Sequence, residues 1–221
     1  YKRQDHGFLL GEHDWWGKVV QPFYDEVAHT PLFIWDPRSR RENVRCDSLA
    51  QLIDIPATLL DYFDVERPAE MLGISLRDAI ANDAPTHDAV LFGVMGGHVN
   101  VTDGRYVYMR APASTINGPL YEYTLMPAHM NAPFAVEELQ DIALQAPFSF
   151  TKGCPVMKIP TRGHGTAHGF GTLLFDLHAD PAQEHPLNDP AVEQMMVEYL
   201  VRLMRENDAP PEQYERLGLA Q

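Results

Sequence analysis

The side chains able to do chemistry are concentrated at the start of the chain, in Asp5-His6-Gly7-Phe8-Leu9-Leu10-Gly11-Glu12-His13-Asp14-Trp15-Trp16-Gly17-Lys18. Asp5 and His6 form an adjacent pair of metal-ligand types, since carboxylate oxygen and imidazole nitrogen both coordinate divalent cations of intermediate hardness. Lys18, twelve residues after His6, supplies a mobile ammonium suited to a tetrahedral oxyanion. Gly7, Gly11 and Gly17 allow backbone to pass close to a ligand. A cation beside a lysine is a means of stabilising charge that develops on a transferred group. His13-Asp14 is a second imidazole–carboxylate pair within the same stretch, and Glu12 and Asp14 read as structural.

A second cluster is Thr161-Arg162-Gly163-His164-Gly165-Thr166-Ala167-His168-Gly169-Phe170-Gly171. Histidines four apart would share a helix face and could bind zinc. Four glycines oppose a helix, and no Glu follows the first His as in zinc proteases, so the segment reads as a flexible loop. His98, His129, His178 and His185 stand singly and read as surface or satisfied core residues. Cys46 and Cys154 imply no disulfide framework.

The elements that must position these residues follow from local patterning. Residues 5–18 read as loop with a short helical turn, and Val19–Asp25 as helical. Pro31–Trp35 is a continuous apolar run of the kind found in strands buried on both faces. Asp47 or Ser48 is placed to cap a helix carrying Leu49, Leu52 and Ile53. A second helix follows, with Asp54 as cap, Pro56 in the first turn and Leu59, Leu60 and Phe63 as its buried stripe. Ser75 caps a short helix through Ile80, and Asn82–Thr86 is the expected boundary between residues 1–85 and 86–221.

From Ala89 the period changes. Val90–Met95 and His98–Thr102 read as strands, Asp103-Gly104 as a hairpin turn, and Arg105–Arg110 as the next strand. Pro112–Pro160 reads as long loop with one helix over Val136–Leu144. Leu173–Leu177 is a last strand. The final helix is expected over Pro190–Glu206, burying Val192, Met195, Met196, Tyr199, Leu200 and Leu203.

With 221 residues the chain can bury a substantial core, and 45% hydrophobic against 22% charged residues is globular composition. A net charge of −14 argues against nucleic acid or an anionic membrane as partner. Any anionic substrate must therefore be drawn in by a local positive site. No apolar run approaches the roughly 20 residues of a membrane span.

Taken together, Asp-His-Gly, Leu-Gly-Glu-His, Gly-Lys, Phe23-Tyr-Asp-Glu26 and Thr30–Trp35 resemble the late active-site segment of the sulfatases, in the alkaline phosphatase superfamily. Further matching blocks follow in family order at Leu52–Leu60, Gly73–Leu76, Leu174–Leu177, Asp180-Pro181 and Glu184–Leu187. The resemblance implies an α/β fold: the end of a sulfatase catalytic domain, then a small antiparallel-sheet subdomain with a terminal helix. It implies Asp5 and His6 as ligands of one divalent metal, Ca2+ ahead of Mn2+ or Zn2+, beside a formylglycine. It implies Lys18 as the catalytic contact to the sulfate or phosphoryl oxygens. His13, His164 and His168 are further candidates for touching substrate.

The substrate implied is a small-molecule or carbohydrate sulfate ester. The Asp-His pairing, where many sulfatases have Asp-Asn, also occurs in phosphonate monoester and phosphodiester hydrolases and keeps those esters open. The family's nucleophile pattern, Cys or Ser followed by x-Pro-x-Arg, does not occur here, nor do its first metal-binding aspartates. The expectation is a C-terminal portion of a sulfatase-type enzyme, with weak metal affinity and no turnover alone. The rival from another class is a non-catalytic binding module. An exposed sheet edge would favour a homo-oligomer.

Overall fold

The computed structural model describes residues 5–18, 22–161 and 167–220. The motif stretch forms a tight hairpin: β1 (Leu9–Leu10) pairs antiparallel with β2 (Trp16–Gly17) across one 3₁₀ turn, Glu12–Asp14. Glu12 closes the turn by accepting the Leu10 amide at 2.5 Å. A single helical turn, α1 (Asp25–Ala28), follows. The helix expected over Val19–Asp25 therefore starts at Asp25, and residues 19–21 lie outside the described residues.

Pro31–Trp35 is not a buried strand. Phe33 and Trp35 are largely exposed, while Leu32 and Ile34 line an apolar groove against Ile55, Leu59 and Phe63. The run packs on a helix instead of pairing in a sheet. The helix expected after Ser48 is also absent. The Asp47 and Ser48 amides donate to Asp83 Oδ1, and Ser48 Oγ donates to Ala84 O at 2.7 Å. The capping groups are thus committed to a distant loop.

Helix α2 (Asp54–Tyr62) does form, with Asp54 in its first turn. Its buried residues are Asp54, Ile55 and Ala57, while Phe63 is exposed. Ile55 lies one turn before Leu59 on the same face, so burial is deepest at the start of the helix and fades along the expected stripe. Helix α3 (Arg77–Asn82) follows, its first amide accepted by Ser75 Oγ.

The main sheet contains β3 (Val90–Gly93), β4 (Val99–Thr102), β5 (Tyr106–Arg110) and a later strand, Leu173–Asp176. All neighbours are antiparallel. The Asp103-Gly104 turn is as expected: Asp103 Oδ1 accepts the Arg105 and Tyr106 amides, and Gly104 takes φ 93°.

Between the third and last strands lies a second antiparallel sheet invisible in the sequence pattern: β6 (Tyr121–Thr124), β7 (Ala143–Gln145) and β8 (Val156–Pro160), with β8 in the middle. Val136–Asp141 is a run of turns, not a helix. Val136 and Leu144 are exposed, so no apolar face existed to hold a helix there. Instead, Glu138 ties the Ala135 amide and the His129 ring. One turn of helix, α4 (Ala167–Phe170), precedes β9, the Leu173–Asp176 strand.

Asp189 caps α5 (Pro190–Glu206) by accepting the Ala191 and Val192 amides, with Pro190 in the first turn where its missing N–H costs nothing. Its fully buried line is Met196, Leu200 and Met204, flanked by Val192, Met195, Tyr199 and Leu203. The unforeseen α6 (Pro211–Leu217) closes the chain over the same core.

Strand alternation decides what each sheet face holds. Val101, Tyr108 and Leu174 point to α5 and α6, whereas Val107, Met109 and Phe175 point to the opposite face, where Tyr24 packs. Each fully buried Leu, Met or Phe contributes about 1.5–3 kcal/mol. The sheet is thereby the platform for the segment carrying the motif.

Candidate active site

Gly7 seats the first half of the motif. Its amide donates to Val27 O at 2.8 Å, and a Cβ there would lie 1.7 Å from Glu26 O. Only glycine permits so close an approach to α1. α1 is itself tied to the sheet side. The Asp25 amide donates to Oε1 of buried Gln183 at 2.6 Å, and the Tyr24 ring meets Phe175 edge-on at 6.3 Å.

On this support Asp5, His6 and Lys18 come together. His6 Nδ1 lies 3.0 Å from Gly7 O, an atom that can only accept, so Nδ1 carries the proton. Nε2 is then the lone-pair nitrogen. It faces Asp5 Oδ2 at 3.6 Å and receives a hydrogen bond from Lys18 Nζ at 2.6 Å. A carbonyl that fixes the tautomer in this way is the usual support of a metal-binding imidazole. Asp5 is exposed. Its own backbone N–H first, and more weakly the Lys18 charge, hold its carboxyl below the usual carboxylate range.

Asp5 Oδ2 and His6 Nε2 fit two neighbouring positions in the shell of one divalent cation. Among the described residues no third His, Cys, Asp or Glu joins them to make a group of three. Their spacing and the fixed tautomer suit a cation, and most of its shell would have to come from elsewhere.

His13 is turned inward. Its ring stacks on Tyr24 at 3.6 Å with planes 7° apart, its side chain is only 10% exposed, and Nε2 lies 3.6 Å from Glu26 Oε2. Burial, and then the Glu26 charge, pushes the Tyr24 phenol up.

The second histidine cluster reaches the motif through α4, where Phe170 lies 6.2 Å from Trp15, ring centre to ring centre. His168 stands on this helical turn, where a loop was expected, and its Nδ1 donates to Pro112 O at 2.9 Å. Nε2 is left as the available ring nitrogen. His164 lies outside the described residues. His98, read as a lone histidine, is buried and donates from Nε2 to Gly171 O at 2.9 Å, fixing the end of α4 to the main sheet. This function of His98 depends on a contact 73 residues away, and no local pattern signals it.

The fold is that of the C-terminal portion of a sulfatase. Residues 11–145, more than half of the chain, match the family described as N-sulphoglucosamine sulphohydrolase, C-terminal, and the chain belongs to that family. An arylsulfatase of Clostridium perfringens is 33% identical over 106 residues, covering 44% of this chain and 22% of the relative. An N-acetylglucosamine-6-O-sulfatase of Bacteroides thetaiotaomicron is 33% identical over 82 residues, covering 37% of this chain and 14% of the relative.

Among solved structures, one in complex with its substrate D-glucosamine-2-N,6-O-disulfate aligns over 95% of this chain and 34% of its own, with TM-score 0.58 and 15% identity. A 2-O glycosaminoglycan sulfatase aligns over 93% of this chain and 36% of its own, with TM-score 0.58 and 18% identity. These show the fold: the C-terminal α/β and antiparallel-sheet portion of a sulfatase. The chain spans about a third of the length of these structures. No helix among the described residues is long and apolar enough to cross a membrane.

Proposed function

We propose that this chain carries the Asp5-His6 metal ligands and the Lys18 oxyanion contact of an enzyme that hydrolyses carbohydrate sulfate esters. The observation that carries the reading is the convergence of Lys18 Nζ on His6 Nε2 at 2.6 Å, beside the Asp5 carboxylate. Three groups suited to a cation and a sulfate meet at one point of an otherwise acidic protein. A bound divalent cation, Ca2+ ahead of Mn2+ or Zn2+, would supply charge to polarise the ester. Asp5 and His6 hold and orient that charge, and Lys18 faces the oxygens on which negative charge grows. The nucleophile is a formylglycine borne by sulfatase sequence other than these 221 residues, so this chain by itself does not turn over.

Sulfate is favoured over phosphonate or phosphate esters because the matching family and relatives are sulfatases by name. The sugar is argued from the sulfated glucosamine bound in one structural neighbour. His168 Nε2 is assigned to the mouth of the site, because α4 adjoins Trp15. His164 lies outside the described residues and stays a candidate for touching substrate on the resemblance alone.

The test is an NMR titration of the 221-residue chain, first with Mn2+ and then with D-glucosamine-2-N,6-O-disulfate in Ca2+. Paramagnetic broadening centred on Asp5 and His6, and sugar-induced shifts at Lys18 lost in Lys18→Ala, are the expected results. Broadening spread over the acidic surface with Asp5 and His6 unaffected would sink the assignment.

A further inference from the structure

We infer that His13 is a positioning residue: through Glu26 and Tyr24 it sets where the Lys18 side of the motif sits relative to the Asp5-His6 side. The inference rests on the site reading above.

His13 and Asp14 both take left-handed backbone, at φ 53° and 59°. Two consecutive non-glycine residues in this region are uncommon, and such strain persists where the surroundings impose it. Here it turns the His13 ring away from solvent and onto Tyr24. The ring nitrogen Nε2 and Glu26 Oε2 are both shut off from solvent, and neither has a hydrogen-bond partner among the described residues. They face each other at 3.6 Å. That separation is too long for a hydrogen bond, and it leaves no room for a water between them. A shift of less than about 1 Å would join them.

Both halves of the motif therefore bear on the same short helix. The Asp5-His6 half is fastened to α1 by the Gly7–Val27 bond. The hairpin that ends at Lys18 bears on α1 through His13, across Glu26 and Tyr24. Because α1 is itself held by Gln183 and Phe175, the His13–Glu26 contact governs the height of the hairpin above it. That height fixes the approach of Lys18 Nζ to His6 Nε2. Open at 3.6 Å, the pair leaves two buried polar groups unpaired. Closing it removes that cost and draws the hairpin down on α1. His13 in this arrangement touches neither cation nor ester and acts through the groups that do.

The experiment reads His6 directly. Nitrogen-15 NMR of the imidazoles, recorded well above the ordinary imidazole titration range, reports which ring nitrogen of His6 bears the proton. The wild-type chain is expected to show the Nδ1–H form. His13→Ala and Glu26→Ala are expected to shift His6 toward the mixture typical of a free imidazole and, by withdrawing Lys18 from the lone pair a cation would use, to tighten Mn2+ binding by up to about five-fold. The amide spectrum of the main sheet should stay in place, and Glu26→Gln, which can still meet the ring, should restore most of the wild-type behaviour.

An unchanged His6 tautomer with unchanged Mn2+ affinity in both alanine variants overturns the inference. If His13→Ala fails to fold, Glu26→Ala and Glu26→Gln decide it, because neither alters the strained turn. Failure of the site reading is distinguishable: wild type would bind no Mn2+ at Asp5 and His6, while the tautomer measurement would still report on His13.

Discussion

Lys18 Nζ donates to His6 Nε2 at 2.6 Å, so the ammonium occupies the lone pair that a metal would use. Two functions of one site thereby compete for one atom. A cation arriving at His6 must displace Lys18, and the displaced ammonium is then free to meet an anion. The repulsion between a lysine and a divalent cation a few ångströms apart in wet surroundings is on the order of 1 kcal/mol or more. Lys18→Met should therefore bind Mn2+ about five-fold more tightly than wild type while losing the sulfated glucosamine. Calorimetric titration with each ligand checks this. Equal or weaker Mn2+ binding by Lys18→Met would show that the lysine and the cation do not share His6.

Gly7 provides a steric test of the same geometry. A methyl group there would meet Glu26 O at 1.7 Å, so the motif must lift off α1 and lose the Gly7–Val27 hydrogen bond. Gly7→Ala is expected to destabilise the chain by about 1–3 kcal/mol, in the range of overpacking substitutions, and to weaken Mn2+ binding. Gly17→Ala is the control, since nothing lies near its missing side chain, although its φ of 145° makes it mildly strained. A denaturant titration of both variants gives the comparison, and a Gly7→Ala chain as stable as wild type would contradict the packing.

Much of the architecture could be read from local rules, and what escaped has physical causes. The apolar period announced α5 over Pro190–Glu206, and the structure adds the Asp189 cap that fixes its start. The Asp103-Gly104 hairpin was likewise legible from local pattern. The β6–β8–β7 sheet was not: β7 has three residues and pairs with a strand eleven residues beyond it in sequence, so neither propensity nor period marks it. Ser48 looked like a cap and is instead bonded to Asp83 and Ala84. In the site, the motif brought Asp5, His6 and Lys18 to notice. The inward turn of His13 depends on its positive φ and on Glu26, which residue types and spacing do not encode. His98 likewise acts through Gly171, far along the chain.

That buried histidine makes stability depend on pH. Burial holds the His98 imidazole below its ordinary value of 6.5, the Arg216 charge adds to the depression, and the bond to Gly171 O opposes it. The unfolded chain accordingly takes up a proton first as pH falls. The contribution of His98 is complete above pH 6.5. It is lost on going down from there to the lower folded-state value, with a slope of up to about 1.4 kcal/mol per pH unit. Carboxylates such as Asp36, held low by the hydrogen bond from Arg38, come into play only at lower pH. Melting temperature followed downward from neutral pH should fall in wild type and fall less steeply in His98→Gln. Parallel curves for the two proteins would remove His98 as the cause. Because His98 anchors the end of α4, the same acid range should loosen Phe170 from Trp15, which tryptophan fluorescence would register.

Asp54 gives the last and most severe prediction. It is fully buried at the start of α2 and accepts the Gln51 amide at 2.7 Å, the Ile74 amide at 2.9 Å and His87 Nε2 at 2.8 Å. One carboxylate thus joins α2, the Gly73–Leu76 segment and the chain leading into β3. Asp54→Ala removes the acceptor from two backbone amides and a histidine at once. Buried donors left without partners cost about 1–3 kcal/mol each, and removing one member of a buried pair costs roughly 3–5 kcal/mol. The expected loss is therefore at least 3 kcal/mol by denaturant titration. Asp54→Asn keeps one carbonyl acceptor and should lose less: turned to serve the Gln51 amide and His87, which share Oδ2, it presents its NH2 to the Ile74 amide, where the deficit falls. His87→Ala, which leaves both amide bonds intact, should be the mildest of the three. If Asp54→Ala and His87→Ala were equally mild, the two backbone amides would have found other acceptors, and Asp54 would not be the junction of these segments.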